Sequence, residues 1–172
     1  MAARSGGETD AAAGWGRLEE EAPRIGVVGR GRLEAARVVL LGTVRRDGAP
    51  RISPVEPYLV EGRLLFGAIA WSAKARDLLR DPRCVVHSAI TGPDAGEPEL
   101  KLHGRAEEVT DPAVRGAGGH GWWVGRKPGA ARVFELRIER AVLIEWDLER
   151  GVMSTTRWSP GRTPSSRRRS YP

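Results

Sequence analysis

The 172-residue chain reads as a mostly β protein, an antiparallel β-barrel with a few helices. Three features predict this class. Apolar and β-branched runs recur with turn residues between them, beginning with residues 38–44 and the Asp47-Gly48 turn. Residues 132–139 alternate, with Val133, Glu135, Arg137 and Glu139 on one face and Phe134, Leu136 and Ile138 on the other. Helical patterns are few, and closure into a barrel removes the exposed edges that so many short strands would otherwise leave.

Taken in order, residues 1–14 are small and polar and are expected to be disordered. A helix is expected over 15–32, where Trp15, Leu18, Ala22 and Ile25 share a face, although Pro23 and several glycines weaken it. Gly26-Val27-Val28-Gly29-Arg30-Gly31 superficially resembles a phosphate loop, but it lacks the strand-to-helix context that a dinucleotide fingerprint requires. Strands are expected at 38–44, 51–60 and 63–66, with turns at Arg46-Asp47-Gly48 and Glu61-Gly62. Ser72 then stands at an N-cap position, ahead of a short helix whose Ala75, Leu78 and Leu79 share one face and which Pro82 ends. Residues 84–90 and 100–109 read as strands around a Gly/Pro/acidic loop. Residues 113–131 are rich in glycine, contain Trp122 and Trp123, and follow no clear period. After 132–139 come strands at 141–146 and 152–158, the second being the expected edge. One domain therefore spans 15–158, followed by an arginine-rich flexible tail over 159–172.

Composition narrows the functional classes. The net charge is +6, but residues 151–172 hold five arginines and no Asp or Glu, so the rest of the chain is nearly neutral. That distribution argues against a nucleic-acid-binding body and leaves salt-sensitive polyanion binding by the tail as the remaining option of that kind. The single cysteine, Cys84, has no disulfide partner and sits beside Val85 and Val86, as a core thiol would. His87, His103 and His120 lie on separate segments without metal-ligand spacing, and no metal is expected. With no apolar leader and no run long enough to cross a bilayer, a soluble cytoplasmic protein without membrane association is expected.

The order of motifs resembles the pyridoxamine 5'-phosphate oxidase-like family, a group of flavin-binding split β-barrels. The matching residues are Leu40-Leu41-Gly42-Thr43-Val44, Asp47-Gly48-Ala49-Pro50-Arg51, Gly62-Arg63-Leu64-Leu65-Phe66, Ser72-Ala73-Lys74-Ala75 with Leu78, Asp81-Pro82-Arg83, and Gly104-Arg105-Ala106-Glu107. They cover roughly the middle half of the chain, and the match rests on their order rather than on any single restrictive motif. The resemblance implies an FMN-binding homodimer in which the flavin carries hydride or electron transfer to a small-molecule substrate.

FMN needs cations and backbone donors for its phosphate and an apolar slot for its ring. Ser72 at a helix start, Lys74 in its first turn and Arg51 on the second strand are the candidate phosphate ligands. By resemblance, Ile52, Ser53, Pro54, Ala68 and Ile69 line the ribityl chain and ring, and Trp158 and Arg162 complete the pocket across a dimer interface. Packing of Trp158 at a sheet edge is the competing reading. Ala73 stands where relatives often carry a second basic residue, and the C-terminal half lacks a convincing match to the oxidase's substrate motif. No catalytic side chain is singled out. The alternatives are a deazaflavin F420-dependent reductase, whose longer anionic tail would engage Arg45, Arg46 or the C-terminal arginines, a haem-binding relative, and a non-catalytic cofactor-binding module.

Overall fold

A computed structural model describes residues 13–90, 92, 95–117 and 119–171, so the expectation of disorder at the N-terminus lies, up to residue 12, outside the described residues. Ala13 is already ordered, bridging to Ile138 through backbone hydrogen bonds of 2.9 and 2.7 Å.

The expected first helix is two, α1 (Trp15–Glu21) and α2 (Pro23–Ala35). Proline lacks an N–H and suits the first helical position, so Pro23 starts the second helix where it would have broken a continuous one. The expected face holds, since Trp15, Leu18, Ala22 and Ile25 are all buried.

Strands β1 (Val39–Val44) and β2 (Pro50–Val55) form the predicted hairpin, with Gly48 at φ +83°, a left-handed conformation that glycine adopts without steric cost. The extended segment expected over 51–60 divides at Glu56. Beyond it, β3 (Pro57–Val60) leaves β1 and pairs with β4 (Arg63–Ile69). Then come α3 (Ala73–Arg80), β5 (Arg83–His87), β6 (Glu99–Glu108) and the short α4 (Pro112–Ala117). The strands expected at 132–139 and 141–146 are one, β7 (Ala131–Asp147), which pairs with β4 early, with β6 through most of its length and with β8 (Val152–Trp158) late.

All pairings are antiparallel, and the main path runs β2-β1-β5-β6-β7-β4-β3. Its two terminal strands are consecutive in the chain, joined through Glu56, so the sheet must curl back on itself: this is the split β-barrel. Inside it, Leu41, Phe66, Leu102, Leu136 and Ile138 pack with Trp15, Leu18 and Ile25 from the helices. Each fully buried side chain of this kind contributes about 1.5–3 kcal/mol.

The expectation of a flexible tail is corrected by β9 (Ser165–Ser170), which pairs with β8 from Val152↔Ser170 to Arg157↔Ser165. β8 is therefore not the edge. Polar composition concealed the strand: every side chain of β9 is exposed, so no apolar alternation marks it. Arginines along an outer strand also discourage further edge pairing.

Candidate functional site

A cavity of about 670 Å³ opens between β2, β4, the start of α3 and the turn-rich segment before β7. Pro54, Ala68, Ile69, Ser72 and Lys74 line it, five of the ten residues proposed from the sequence. Trp71 and Trp122 add aromatic walls, Arg126 a second cation and Glu56 its one carboxylate.

Ser72 caps α3 as expected, its hydroxyl accepting from the Ala75 N–H at 3.4 Å. That bond takes the Ala75 amide, while the Ala73 and Lys74 amides precede Arg76, the first residue with a carbonyl partner at this helix start, whose N–H donates to the Ser72 carbonyl at 3.2 Å. Lys74 Nζ donates to the Pro54 carbonyl at 2.7 Å, and no carboxylate pairs with it among the described residues. Burial holds its ammonium below the usual lysine range, as expected for a cation whose charge is uncompensated. An arriving anion would supply the missing counter-charge.

Gly67 makes the aromatic wall possible. A Cβ there would come within 2.5 Å of the Trp123 ring and 3.0 Å of Trp122. The two indoles pack edge-on at 6.3 Å, and Trp123 is pinned by Tyr58 at 4.8 Å and by donation from its Nε1 to the Arg115 carbonyl at 3.1 Å.

The other proposed residues do not line the cavity. Arg51 turns toward α3, where its Nε donates to Asp77 Oδ2 at 2.7 Å. Asp77 is buried and also accepts from Thr43 at 3.1 Å. Burial pushes the Asp77 carboxyl up, but the bonds from Arg51, Thr43 and Arg80 outweigh it and hold the group below the usual carboxylate range. Arg51 thus lines a separate hollow with Arg45, Arg46, Arg76 and Arg80, on the other side of the strand from Pro54. Ile52 shares Pro54's strand face but lies outside the lining, and Ser53 points inward and is buried.

Trp158 is 2 % exposed within the core, its Nε1 donating to Glu21 Oε2 at 3.1 Å. The same carboxylate accepts from the Gly161 N–H at 2.8 Å, tying the end of β8 to α1. Arg162 sits in the following turn, its N–H donating to the Ser159 carbonyl at 3.1 Å. Within the single chain Trp158 therefore belongs to the packing of β8 against the helices, while Arg162 is exposed in the turn that follows.

The residues missed by sequence reasoning are Trp71, Trp122, Arg126 and Glu56. The one available signal was aromatic content: Trp71 adjoins the Ser72 cap, and Trp122 lies in the segment without a readable period. His120 faces a different hollow, with Glu34 and Tyr58.

The barrel and this cavity define the chain as a split-barrel protein. The sequence pattern of the pyridoxamine 5'-phosphate oxidase family matches residues 30–144, and the chain belongs to that family. Among solved structures, it is similar to a Clostridium acetobutylicum protein related to general stress protein 26 of B. subtilis, of the pyridoxinephosphate oxidase family. The identity is 13 %, covering 79 % of this chain and 94 % of that one, with a TM-score of 0.62. A pyridoxamine 5'-phosphate oxidase-related, FMN-binding protein from Nostoc punctiforme is 15 % identical, with 87 % and 98 % covered and a TM-score of 0.60. A heme-binding protein from Mycobacterium smegmatis is 20 % identical, with 81 % and 57 % covered and a TM-score of 0.56. At these identities the likeness is one of fold. None of the curated proteins matches the chain. No helix among the described residues is long and apolar enough to cross a membrane.

Proposed function

We propose that the chain binds FMN in the 670 Å³ cavity and acts as a flavin-dependent oxidoreductase on a small substrate in the cytoplasm. One observation carries this reading: an aromatic and aliphatic slot ends at a lysine with no carboxylate partner among the described residues and at the Ser72-capped start of a helix. The FMN-binding relative on the same fold supports it. Lys74, Ser72 and the first-turn amides would hold the phosphate, while Trp71, Trp122, Ala68 and Ile69 would enclose the ring. The flavin supplies hydride or electron transfer when bound. The chain orients it and excludes water from one side. A homodimer belongs to the same proposal, because Leu40, Ile52 and Trp71 stand exposed on β1, β2 and the cavity rim, with Trp71 75 % exposed.

A second cofactor reading has its own support. The hollow lined by Arg45, Arg46, Arg51, Arg76 and Arg80, with the carboxylates of Asp47 and Asp77 paired to three of them, measures about 710 Å³ and would suit the longer anionic tail of F420. Among the described residues Arg46 and Arg76 have no ion-pair partner.

The test is to purify the protein, record its visible spectrum, identify any released cofactor by mass spectrometry and measure its reduction by NADH and NADPH. Bound FMN that turns over supports the proposal. Bound FMN without turnover reduces it to a cofactor-binding module. F420 bound in preference, and weakened when Arg45 and Arg46 become glutamate, moves the assignment to the deazaflavin. A Soret band would replace both with haem.

A further inference from the structure

A second hollow, of about 520 Å³, lies against the first and shares Arg126 with it. The turn carrying Trp122 and Trp123 separates them: Trp122 faces the cofactor cavity and Trp123 the second hollow. The second has a different character. Three guanidinium groups reach it from three elements, Arg115 from α4, Arg126 from the turn and Arg132 from β7, against one carboxylate, Glu108 of β6.

The way each arginine is held leaves positive charge over. Arg115 donates to the Val109 and Ala131 carbonyls at 3.3 and 3.2 Å, so neutral acceptors fix it in place without cancelling its charge. Arg126 is held only through Nε, which donates to the Trp122 carbonyl at 3.2 Å, and its terminal nitrogens have no partner among the described residues. Arg132 Nη1 pairs with Glu108 at 2.6 Å, while its Nε is buried without a partner. The hollow thus carries two uncompensated cations whose planar donor sets suit carboxylate or phosphate oxygens.

We propose that this hollow is an anion subsite for the molecule that reacts in the cofactor cavity: Arg126, Arg115 and Arg132 hold a carboxylate or phosphate of that molecule while its reactive part reaches the flavin past Arg126. The inference rests on the first cavity holding the cofactor. Its ligand class follows from the charge, and its two sources are an anionic organic substrate and the phosphates of a reduced nicotinamide dinucleotide.

The experiment is calorimetric titration of inorganic pyrophosphate into the full chain, loaded with FMN and free of it, for the wild type, Arg126→Gln and Glu108→Gln. Removing one charge-assisted contact should weaken binding to the loaded protein by about tenfold. Removing the opposing carboxylate should tighten binding, an effect that lost folding could not mimic. Equal affinities in all three proteins, or no binding to the wild type, would overturn the inference while leaving FMN binding intact. If the chain takes no FMN yet shows the same dependence on Arg126 and Glu108, the anion subsite stands and the cofactor assignment falls. The source follows from turnover with two reductants. An Arg126→Gln enzyme with a raised KM for NADPH, but not for the uncharged N-benzyl-dihydronicotinamide, assigns the anion to the dinucleotide. Unchanged KM values for both, with weakened pyrophosphate binding, assign it to the substrate.

Discussion

Replacing Asp77 by asparagine keeps the side chain's shape and removes its charge, at the point where the β1–β2 hairpin is fastened to α3. In the wild type Oδ2 accepts from Arg51 Nε at 2.7 Å and from Thr43 Oγ1 at 3.1 Å, while Oδ1 faces Arg80 at 3.4 Å. Asparagine offers one acceptor oxygen and turns an NH₂ group toward one of the two arginines, so a donor meets a donor. Breaking a fully buried pair costs about 3–5 kcal/mol, but the Arg51 and Arg80 side chains are 31 % and 37 % exposed and can recover water. Screening of those two partners lowers the expected loss to about 2 kcal/mol. The pH dependence gives the sharper test. The Asp77 carboxyl is held below its unfolded value, so its stabilisation is fully present above the unfolded pKa of about 4 and is lost as pH falls through the lower folded value. Urea unfolding followed by tryptophan fluorescence should show the variant less stable at about pH 7, with the gap to the wild type narrowing toward about pH 3. Equal stability at neutral pH, or a gap that does not change with acid, would show that the Asp77 charge does not fasten the hairpin to α3.

Gly67→Ala should cost about 1–3 kcal/mol by overpacking, because the added methyl meets two indoles rather than a flexible chain end, and it should weaken FMN binding by displacing Trp122. Thermal unfolding together with FMN titration checks both effects. Trp158→Ala should lose about 3–5 kcal/mol in urea unfolding, as a core truncation does, while the protein that remains folded keeps its FMN affinity. Burial, with a smaller contribution from Glu139, pushes the Cys84 thiol up to about 12. At about pH 8 the native protein should therefore react with an aromatic disulfide at least about a hundredfold more slowly than the urea-unfolded chain, a comparison made by absorbance.

The elements legible in the sequence were those whose burial is one-sided. The β1–β2 hairpin declared itself through a β-branched run and Asp47-Gly48, and α3 through Ser72 and the spacing of Ala75 and Leu78, although Leu79, expected on the same face, is exposed. Two kinds of signal were absent. The break at Glu56 leaves the extended backbone pattern intact and changes only the pairing partner, which is a long-range fact. β9 contributes no side chain to the core, and Ser165-Ser166-Arg167-Arg168-Arg169-Ser170 consequently has the composition of a solvated tail.

The site divides along the same line. Ser72 and Lys74 were readable because a helix start is a local feature, whereas Arg51 was offered to the ligand without knowledge that Asp77, 26 positions further on, would take it. Trp122 and Arg126 lie in turns positioned by Gly67 and Tyr58, which are distant in sequence, so their place at the cavity emerges only from the folded chain. Trp158 shows the opposite limit: an aromatic residue near a C-terminus can serve a pocket or a core, and its environment here is the core.

FMN binding in the 670 Å³ cavity is tested by its dissociation constant for the cofactor-free chain, measured by quenching of flavin fluorescence in the wild type and in Lys74→Gln. Saturable binding of one FMN per chain is expected, about tenfold weaker or more in the variant because a charge-assisted contact to the phosphate is lost. No saturable binding by the folded wild-type chain, or equal affinity in the two proteins, would contradict binding at that site.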